Sequence, residues 1–314
     1  MKKIGSLISH FSSLAQREGG INFAQGRPGY SPPEGLLKVL EKLVYEKNLH
    51  QYAPGKGDFY LLEETERIYK KIYKNLQKEN ILVTLGATEG IALSLIFLFN
   101  KFKNFSLLSF EPFYESYPRI SKFLNIPLFS VKIDPFNLGW DREKVKKLVK
   151  ENNVKGILLA SPGNPLGKIY KEEEVNFFRD LMKKKKGFLI FDGVYENVYF
   201  EDKPFNPLTD GLENLIFISS YSKTLSITGW RIGYLITEEK VLKEISSIHD
   251  YTHLSSPYIL QRAIARFLKR EKIEDFLNIL RENLKSSYFL LKREMESYGF
   301  KVSKAEGGMF GWLQ

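Results

Sequence analysis

The sequence predicts an α/β fold. A large domain has a mostly parallel sheet covered by helices on both faces, and a smaller α+β domain is formed by the two chain ends. Three observations carry this expectation. Seven short apolar runs recur between residues 81 and 237, and amphipathic segments separate most of them. The chain has 314 residues, 43% hydrophobic and 14% aromatic, which is enough to bury a sizeable core. Strands alternating with helices are the pattern of a parallel sheet with both faces covered.

Taken in order, the first sixteen residues read as an amphipathic helix, because their two lysines are followed by no continuous apolar region. Helical patterns follow over 33–47 and 58–77, joined by the turn-rich Tyr52-Ala-Pro-Gly-Lys-Gly57. Strands are expected at 81–84, 106–110, 127–131, 156–160, 188–192, 215–219 and 231–237. Helices are expected between them at 89–100, 115–124, 142–150 and 171–186. Two long helical patterns, 238–270 and 272–298, come next. Residues 300–303 and 309–313 read as strands separated by Glu306-Gly307-Gly308. There is no internal repeat and no low-complexity linker.

Composition excludes several function classes. Without cysteine there is no disulfide framework, thiolate metal site or catalytic thiol. Of the four histidines, His249 and His253 have the i, i+4 spacing of a zinc pair but lack the H-E-x-x-H carboxylate, so no metal is expected. The net charge is +10, from 47 Lys+Arg against 37 Asp+Glu. The lysines are spread along helical patterns, and the dense run Lys183 to Lys186 falls where it complements a helix dipole. A solvated basic surface is expected rather than a specific nucleic-acid site. The longest apolar stretch, Ile91 to Phe99, is far short of the ~20 residues that span a membrane. The expected location is cytoplasmic.

The segment richest in chemistry is Ser219-Ser-Tyr-Ser-Lys-Thr-Leu-Ser-Ile-Thr-Gly-Trp-Arg-Ile-Gly233. A lysine follows a strand in a serine-rich loop, and Arg231 comes eight residues later. A Schiff-base lysine needs a fixed position and partial desolvation. Hydroxyls and a guanidinium nearby suit a phosphate. With S-x-S-K followed by T-G-W-R-x-G, the chain resembles the fold-type I pyridoxal-phosphate aminotransferases of class I/II. By that resemblance Lys223 forms the Schiff base with pyridoxal 5'-phosphate. Ser220 and Arg231 bind the cofactor phosphate, with Ser222 close by.

Four further motifs arrive in the family's order. Phe188-Leu-Ile-Phe-Asp-Gly-Val-Tyr-Glu196 is an apolar strand ending in an aspartate, where parallel sheets place ligands. The resemblance makes Asp192 the partner of the pyridine nitrogen and Tyr195 a partner of the phenolic oxygen, both counted as catalytic with Lys223. Ala160-Ser-Pro-Gly-Asn-Pro-Leu-Gly167 is a rigid turn after a strand, and its Asn164 matches a second partner of that oxygen. Thr84-Leu-Gly-Ala-Thr-Glu-Gly90 runs from a strand into a helix, whose first amides attract phosphate. The resemblance puts the phosphate against Ala87 and Thr88; alone, Thr88 reads as an N-cap. In Glu111-Pro-Phe-Tyr-Glu-Ser-Tyr117 the ring-stacking aromatic is placed on Tyr114, with Phe113 as the adjacent alternative. Tyr52 matches the tyrosine that reaches the phosphate of a partner subunit, which implies a homodimer.

Leu14-Ala-Gln-Arg-Glu-Gly-Gly-Ile-Asn-Phe-Ala-Gln-Gly-Arg-Pro-Gly-Tyr30 resembles the methionine and kynurenine/glutamine branch, whose pattern is G-A-I-N-L-x-Q-G-F-P-D-F. Gly26 matches the glycine bordering the substrate carboxylate. Arg27 stands where the pattern has an aromatic, and Gly29 where it has an acid. Ser247-Ile-His-Asp-Tyr-Thr-His-Leu-Ser-Ser-Pro257 also resembles that branch, where it lines the partner's pocket. At the end, Ala305-Glu-Gly-Gly-Met-Phe-Gly-Trp-Leu-Gln314 matches the P-E-G-x-x-F strand, beyond which relatives continue for several tens of residues. The small domain is therefore read as incomplete. The family's α-carboxylate arginine has no match here, and Arg27 is the first candidate for a substitute.

The resemblance implies an N-terminal arm over 1–35, a large pyridoxal-phosphate-binding domain over 36–248, and the start of a small domain over 249–314. It implies a transferase moving an amino group between an amino acid and a 2-oxo acid through Lys223. The alternatives are a carbon–sulfur β-lyase on the same fold, or a truncated cofactor-binding chain with little turnover.

Overall fold

The computed structural model describes residues 6–314. Ser6 caps helix α1 (Leu7–Arg17) by accepting from the Ser9 N–H at 3.3 Å. Residues 1–5 of the helix expected there lie outside the described residues.

Among the described residues, seven strands form one sheet: β1 (Ile81–Thr84), β2 (Ser106–Glu111), β3 (Leu128–Lys132), β4 (Val154–Ala160), β5 (Phe188–Asp192), β6 (Leu215–Ser220) and β7 (Gly233–Thr237). Their order is β1-β7-β6-β5-β4-β2-β3. Strand β7 runs against both its neighbours, and the other pairings are parallel. This is the mostly parallel sheet that the alternating pattern predicts.

Burial explains why the strands read as continuous apolar runs. Every residue of β1, β5, β6 and β7 is buried, since helices cover both faces. Successive side chains point to opposite faces. Leu189 and Phe191 of β5 join one core, with side chains of α2 (Glu34–Leu43), α3 (Phe59–Tyr69), α6 (Arg142–Glu151), α7 (Glu172–Lys185) and α10 (Tyr258–Arg270). Ile190 joins the other, with α4 (Ala87–Lys101), α5 (Ser116–Phe123) and α9 (Glu239–Thr252). The Lys183–Lys185 run occupies the last turn of α7, as the dipole reading expects. Arg262 of α10 clamps the buried Asp58 at 2.7 and 3.0 Å, and Asp58 caps α3. No helix among the described residues is long and apolar enough to cross a membrane.

The structure departs from the sequence reading in four places. The pattern over 238–270 is two helices, because Leu254 sits at φ 66° and Pro257 can only begin a new helix. The helix expected over 58–77 stops at Tyr69; the chain then turns through Gln77 and Asn80, whose side chains cap each other's backbone, into β1. The last strand starts at Gly233 rather than residue 231, because Arg231 is left-handed at φ 57°. The two expected C-terminal strands are not built as strands. Residues 302 and 313 form an isolated bridge, and the helix α11 (Glu274–Ser297) packs against this segment through Tyr288.

Just past the end of β5, the half-buried Glu196 sits among hydroxyls. Its Oε1 accepts from Ser219 Oγ at 2.9 Å and from Tyr69, and its Oε2 accepts from Asn206 at 3.0 Å. Burial pushes its carboxyl up to about 7, against the partial opposition of these bonds. The folded chain therefore keeps this proton to about pH 7, while the unfolded chain loses it near 4.5. The contribution to stability is full at low pH and declines as pH rises from 4.5 to 7. Glu196→Gln is expected to remove that decline and raise Tm at neutral pH by roughly a few degrees. Parallel melting curves of both proteins from pH 4.5 to 8 check this; curves that stay parallel across the window would contradict it.

Candidate active site

Strands β1, β2, β4, β5 and β6 share one direction, so their carboxyl ends open along one edge of the sheet. The segments leaving those ends, together with residues 24–27 and Phe310, enclose a cavity of about 640 Å3. Gly26, Ala87, Thr88, Tyr114, Asn164, Asp192, Tyr195, Ser220, Ser222, Lys223 and Arg231 all line it. Tyr52 does not; it is 82% exposed on the outside of the chain.

Lys223 follows β6 on the single turn α8 (Tyr221–Thr224). Its Nζ donates to the Gly26 carbonyl and lies 5.7 Å from the centre of the Tyr195 ring. Burial, with a further push from Arg231, brings its amine down to about 8. A buried amine at that value is far more often neutral and nucleophilic near neutral pH than a surface lysine.

Opposite it, Asp192 ends β5 at 7% exposure. Tyr117 Oη donates to its Oδ2 at 2.8 Å, and the Val194 N–H donates to its Oδ1 at 3.1 Å. Burial still holds its carboxyl above the ordinary aspartate range, because those two bonds only partly offset desolvation. A buried carboxylate of this kind favours a cationic N–H partner. Burial, with Asp192 and Tyr114 adding to it, raises the Tyr195 hydroxyl, which therefore stays a donor.

The remaining wall is built for an anion. Gly86 at φ 77° opens α4, so Gly86 and not Thr88 occupies the cap, and Ala87 and Thr88 carry the helix's first amides. A Cβ on Gly86 would collide with the Arg231 guanidinium, and one on Gly233 would stand 2.6 Å from the Gly86 carbonyl carbon. These two glycines let Arg231 lie beside the start of the helix. Arg231 is held there by the carbonyls of Thr228 at 3.1 Å and Leu85 at 3.4 Å. Ser220 Oγ lies 2.7 Å from Ser222 Oγ and 2.9 Å from the Ile232 carbonyl, which fixes both hydroxyls. Helix amides, hydroxyls and a guanidinium together suit a phosphate. Tyr114 forms a wall and approaches Thr88 Oγ1 at 3.4 Å, whereas Phe113 packs into the core behind it. Asn164 projects from the loop after β4.

The family model for aminotransferase class I and II matches residues 18–314. The chain belongs to this family. It is 30% identical to kynurenine–oxoglutarate transaminase 3 of Bos taurus over 332 residues, covering 98% of this chain and 72% of the relative. It is 29% identical to a probable aspartate aminotransferase of Methanocaldococcus jannaschii over 303 residues, covering 92% and 77%. An Escherichia coli protein with an identified methionine aminotransferase function superimposes with a TM-score of 0.87 at 25% identity, covering 98% of this chain and 80% of that one. Membership makes this chain an aminotransferase and implies pyridoxal phosphate as cofactor. The donor set fits that group: an anion cradle opened by Gly86, a reactive amine, and a buried carboxylate with no cationic partner among the described residues.

Three residues of this aminotransferase were not singled out from sequence. Tyr117, which buttresses Asp192, lies one helical turn beyond Tyr114. Glu89 accepts the Leu85 N–H and faces Nδ1 of His249 at 2.8 Å and of His253 at 2.9 Å. The histidine pair thus brackets a carboxylate behind the anion cradle. Burial pushes Glu89 up, but the bonds from His249 and the Leu85 amide outweigh it and leave its carboxyl below the ordinary range. Phe310 packs edge-on to Tyr195 at 5.7 Å, and a Cβ on Gly26 would strike its ring. Helical spacing from Tyr114, the glycine-rich turn and the P-E-G-x-x-F match were the available signals.

Proposed function

We propose that this aminotransferase carries pyridoxal phosphate on Lys223 and passes an amino group from an amino acid to a 2-oxo acid. The observation that carries the reading is the Lys223 amine, lowered to about 8 by burial and set in one cavity with Asp192 and Arg231. Pyridoxal phosphate supplies an aldehyde that takes up amines and a ring that draws electrons from the carbon beside the nitrogen. Lys223 holds the group at rest. Released by the incoming amine, Lys223 Nζ takes the proton from the substrate Cα and gives it up again. Asp192 keeps a proton on the ring nitrogen. Tyr195 and Asn164 donate to the phenolic oxygen, and Tyr114 lies against the ring. Arg231, Ser220, Ser222 and the amides of Ala87 and Thr88 hold the phosphate. Gly26 borders the substrate carboxylate.

The same reading includes a homodimer in which the exposed Tyr52 reaches the partner's phosphate, a cytoplasmic location, and the partition into 1–35, 36–248 and 249–314. Borohydride reduction of the loaded protein, followed by peptide mapping, tests it. The adduct is expected on Lys223, and an amino acid with a 2-oxo acid should exchange the amino group. An adduct on another lysine, or pyruvate released from cystathionine with no acceptor present, would count against it.

A further inference from the structure

Two side chains that the proposed function aims at one oxygen come from different loops. Asn164 lies on residues 161–170, which leave β4, and Tyr195 on residues 193–200, which leave β5. The strands are paired as far as Ala160 and Asp192, and the Ser161 N–H still donates to the Asp192 carbonyl at 3.1 Å. Beyond that point no hydrogen bond among the described residues joins one loop directly to the other. The sheet alone therefore does not fix the separation of the two donors. The turn Glu306-Gly307-Gly308 bonds both loops. On the first, the Glu306 N–H donates to the Gly167 carbonyl at 3.0 Å, and the Ile169 N–H donates to Glu306 Oε2 at 2.9 Å. On the second, the Phe200 N–H donates to the Glu306 carbonyl at 2.9 Å, and the Gly308 N–H to the Val198 carbonyl at 2.8 Å. Gly307 lies between them: a Cβ there would strike the Val198 carbonyl oxygen and stand 3.0 Å from Pro162 Cγ. Each loop carries a shift at the turn onward to its donor. The Gly163 N–H donates to the Lys168 carbonyl at 2.8 Å and the Gly167 N–H to the Gly163 carbonyl at 2.7 Å, which brackets Asn164. The Val198 N–H donates to the Tyr195 carbonyl at 2.7 Å.

Of the bonds that the turn makes to the two loops, the one to Ile169 alone uses a side chain, so it is the one a substitution can remove. We propose that Glu306 is a positioning residue: its carboxylate clamps the Asn164 loop to the Tyr195 loop and so aligns both donors on the cofactor's phenolic oxygen. The inference rests on the aminotransferase reading and adds to it a residue that does not line the cavity. Donation to the phenolic oxygen favours its anionic form and makes it a poorer acceptor for the proton on the nitrogen that links Lys223 to the cofactor. Misaligned donors leave that proton more tightly held. The pH at which the bound cofactor changes its absorbance should then rise. Glu306 Oε1 also faces the exposed Lys304 Nζ at 3.6 Å, a pair of a kind that contributes little.

The test compares wild type, Glu306→Ala and Glu306→Gln. Amide hydrogen exchange is followed on the cofactor-free proteins, and absorbance is titrated against pH on the loaded ones. Loss of one charge-assisted hydrogen bond should speed exchange over residues 162–170 by about tenfold or more in Glu306→Ala, with β5 and β6 unchanged. The absorbance midpoint of Glu306→Ala should rise by about half a pH unit or more. Glu306→Gln keeps an oxygen that accepts from Ile169 and loses only the pairing with Lys304, so it should stay close to wild type in both measurements. Exchange that quickens across the whole sheet would mark a residue that merely stabilises the fold, and would overturn the assignment. An unmoved midpoint, or a Glu306→Gln protein that behaves as Glu306→Ala, would do the same. Borohydride attachment to Lys223 is measured in the same samples. Attachment with an unmoved midpoint removes the Glu306 proposal alone, whereas no attachment in wild type removes the reading beneath it.

Discussion

Lys223→Ala is expected to lower kcat/KM for every amino donor by about ten-thousandfold or more. A positioned general base contributes roughly 10²–10⁴ on its own. Here the same nitrogen is also the nucleophile that holds the cofactor, so both contributions are lost together. The loss should be chemical rather than structural. Lys223 lies on a single turn, and its Nζ bonds a backbone carbonyl rather than a core side chain. Cofactor should still dock through Arg231 and the start of α4, now without borohydride attachment. The vacated space is open to a small amine, and methylamine should restore a measurable fraction of the proton transfer. Stopped-flow absorbance with a single donor separates docking from turnover. Residual activity above about one per cent without added amine would falsify the assignment.

Asp192→Asn is expected to cost about a hundred- to a thousandfold in kcat while leaving the affinity for cofactor within about tenfold. The magnitude follows from removing one preorganised charge at a position where charge develops. Shape is preserved, and the Tyr117 hydroxyl can turn to accept from the new amide. The phosphate cradle shares no hydrogen bond with Asp192. Tyr117→Phe removes one of the two donors that hold this carboxylate and should show a smaller loss in the same direction. Single-turnover rates and equilibrium dialysis of cofactor check both variants. An Asp192→Asn protein with cofactor bound and wild-type turnover would show that the ring nitrogen does not depend on this residue.

The sheet was legible because its signals are local. A strand buried on both faces must be apolar throughout, so the segment 188–192 stands out without knowledge of its neighbours. The same holds for the motifs at strand ends. Asp192 ends an apolar run, Lys223, Asn164 and Thr88 each come within four residues of one, and parallel strands deliver their ends to one edge. The break between α9 and α10 was not legible. Both halves carry helical periodicity, and Leu254 takes a positive φ that a leucine rarely adopts and that no local pattern announces. The C-terminal strands were misread for the related reason that alternation predicts a face but not a partner; residues 302 and 313 find only each other.

Covalent order and short-range periodicity, which a chain carries whether or not it is folded, were enough for the sheet and its direction of opening. The resemblance of its motifs to a known family supplied the rest: the family, and eleven residues that line one cavity. Folding alone tunes those residues. Tyr117 and the Val194 amide brace Asp192, Phe310 closes over Gly26, and Glu89 bonds the turn behind the cradle. The lowering of Lys223 to about 8 belongs here as well. Desolvation and hydrogen bonding depend on atoms far apart in the chain, and those distances exist only once the two faces of the sheet have been covered.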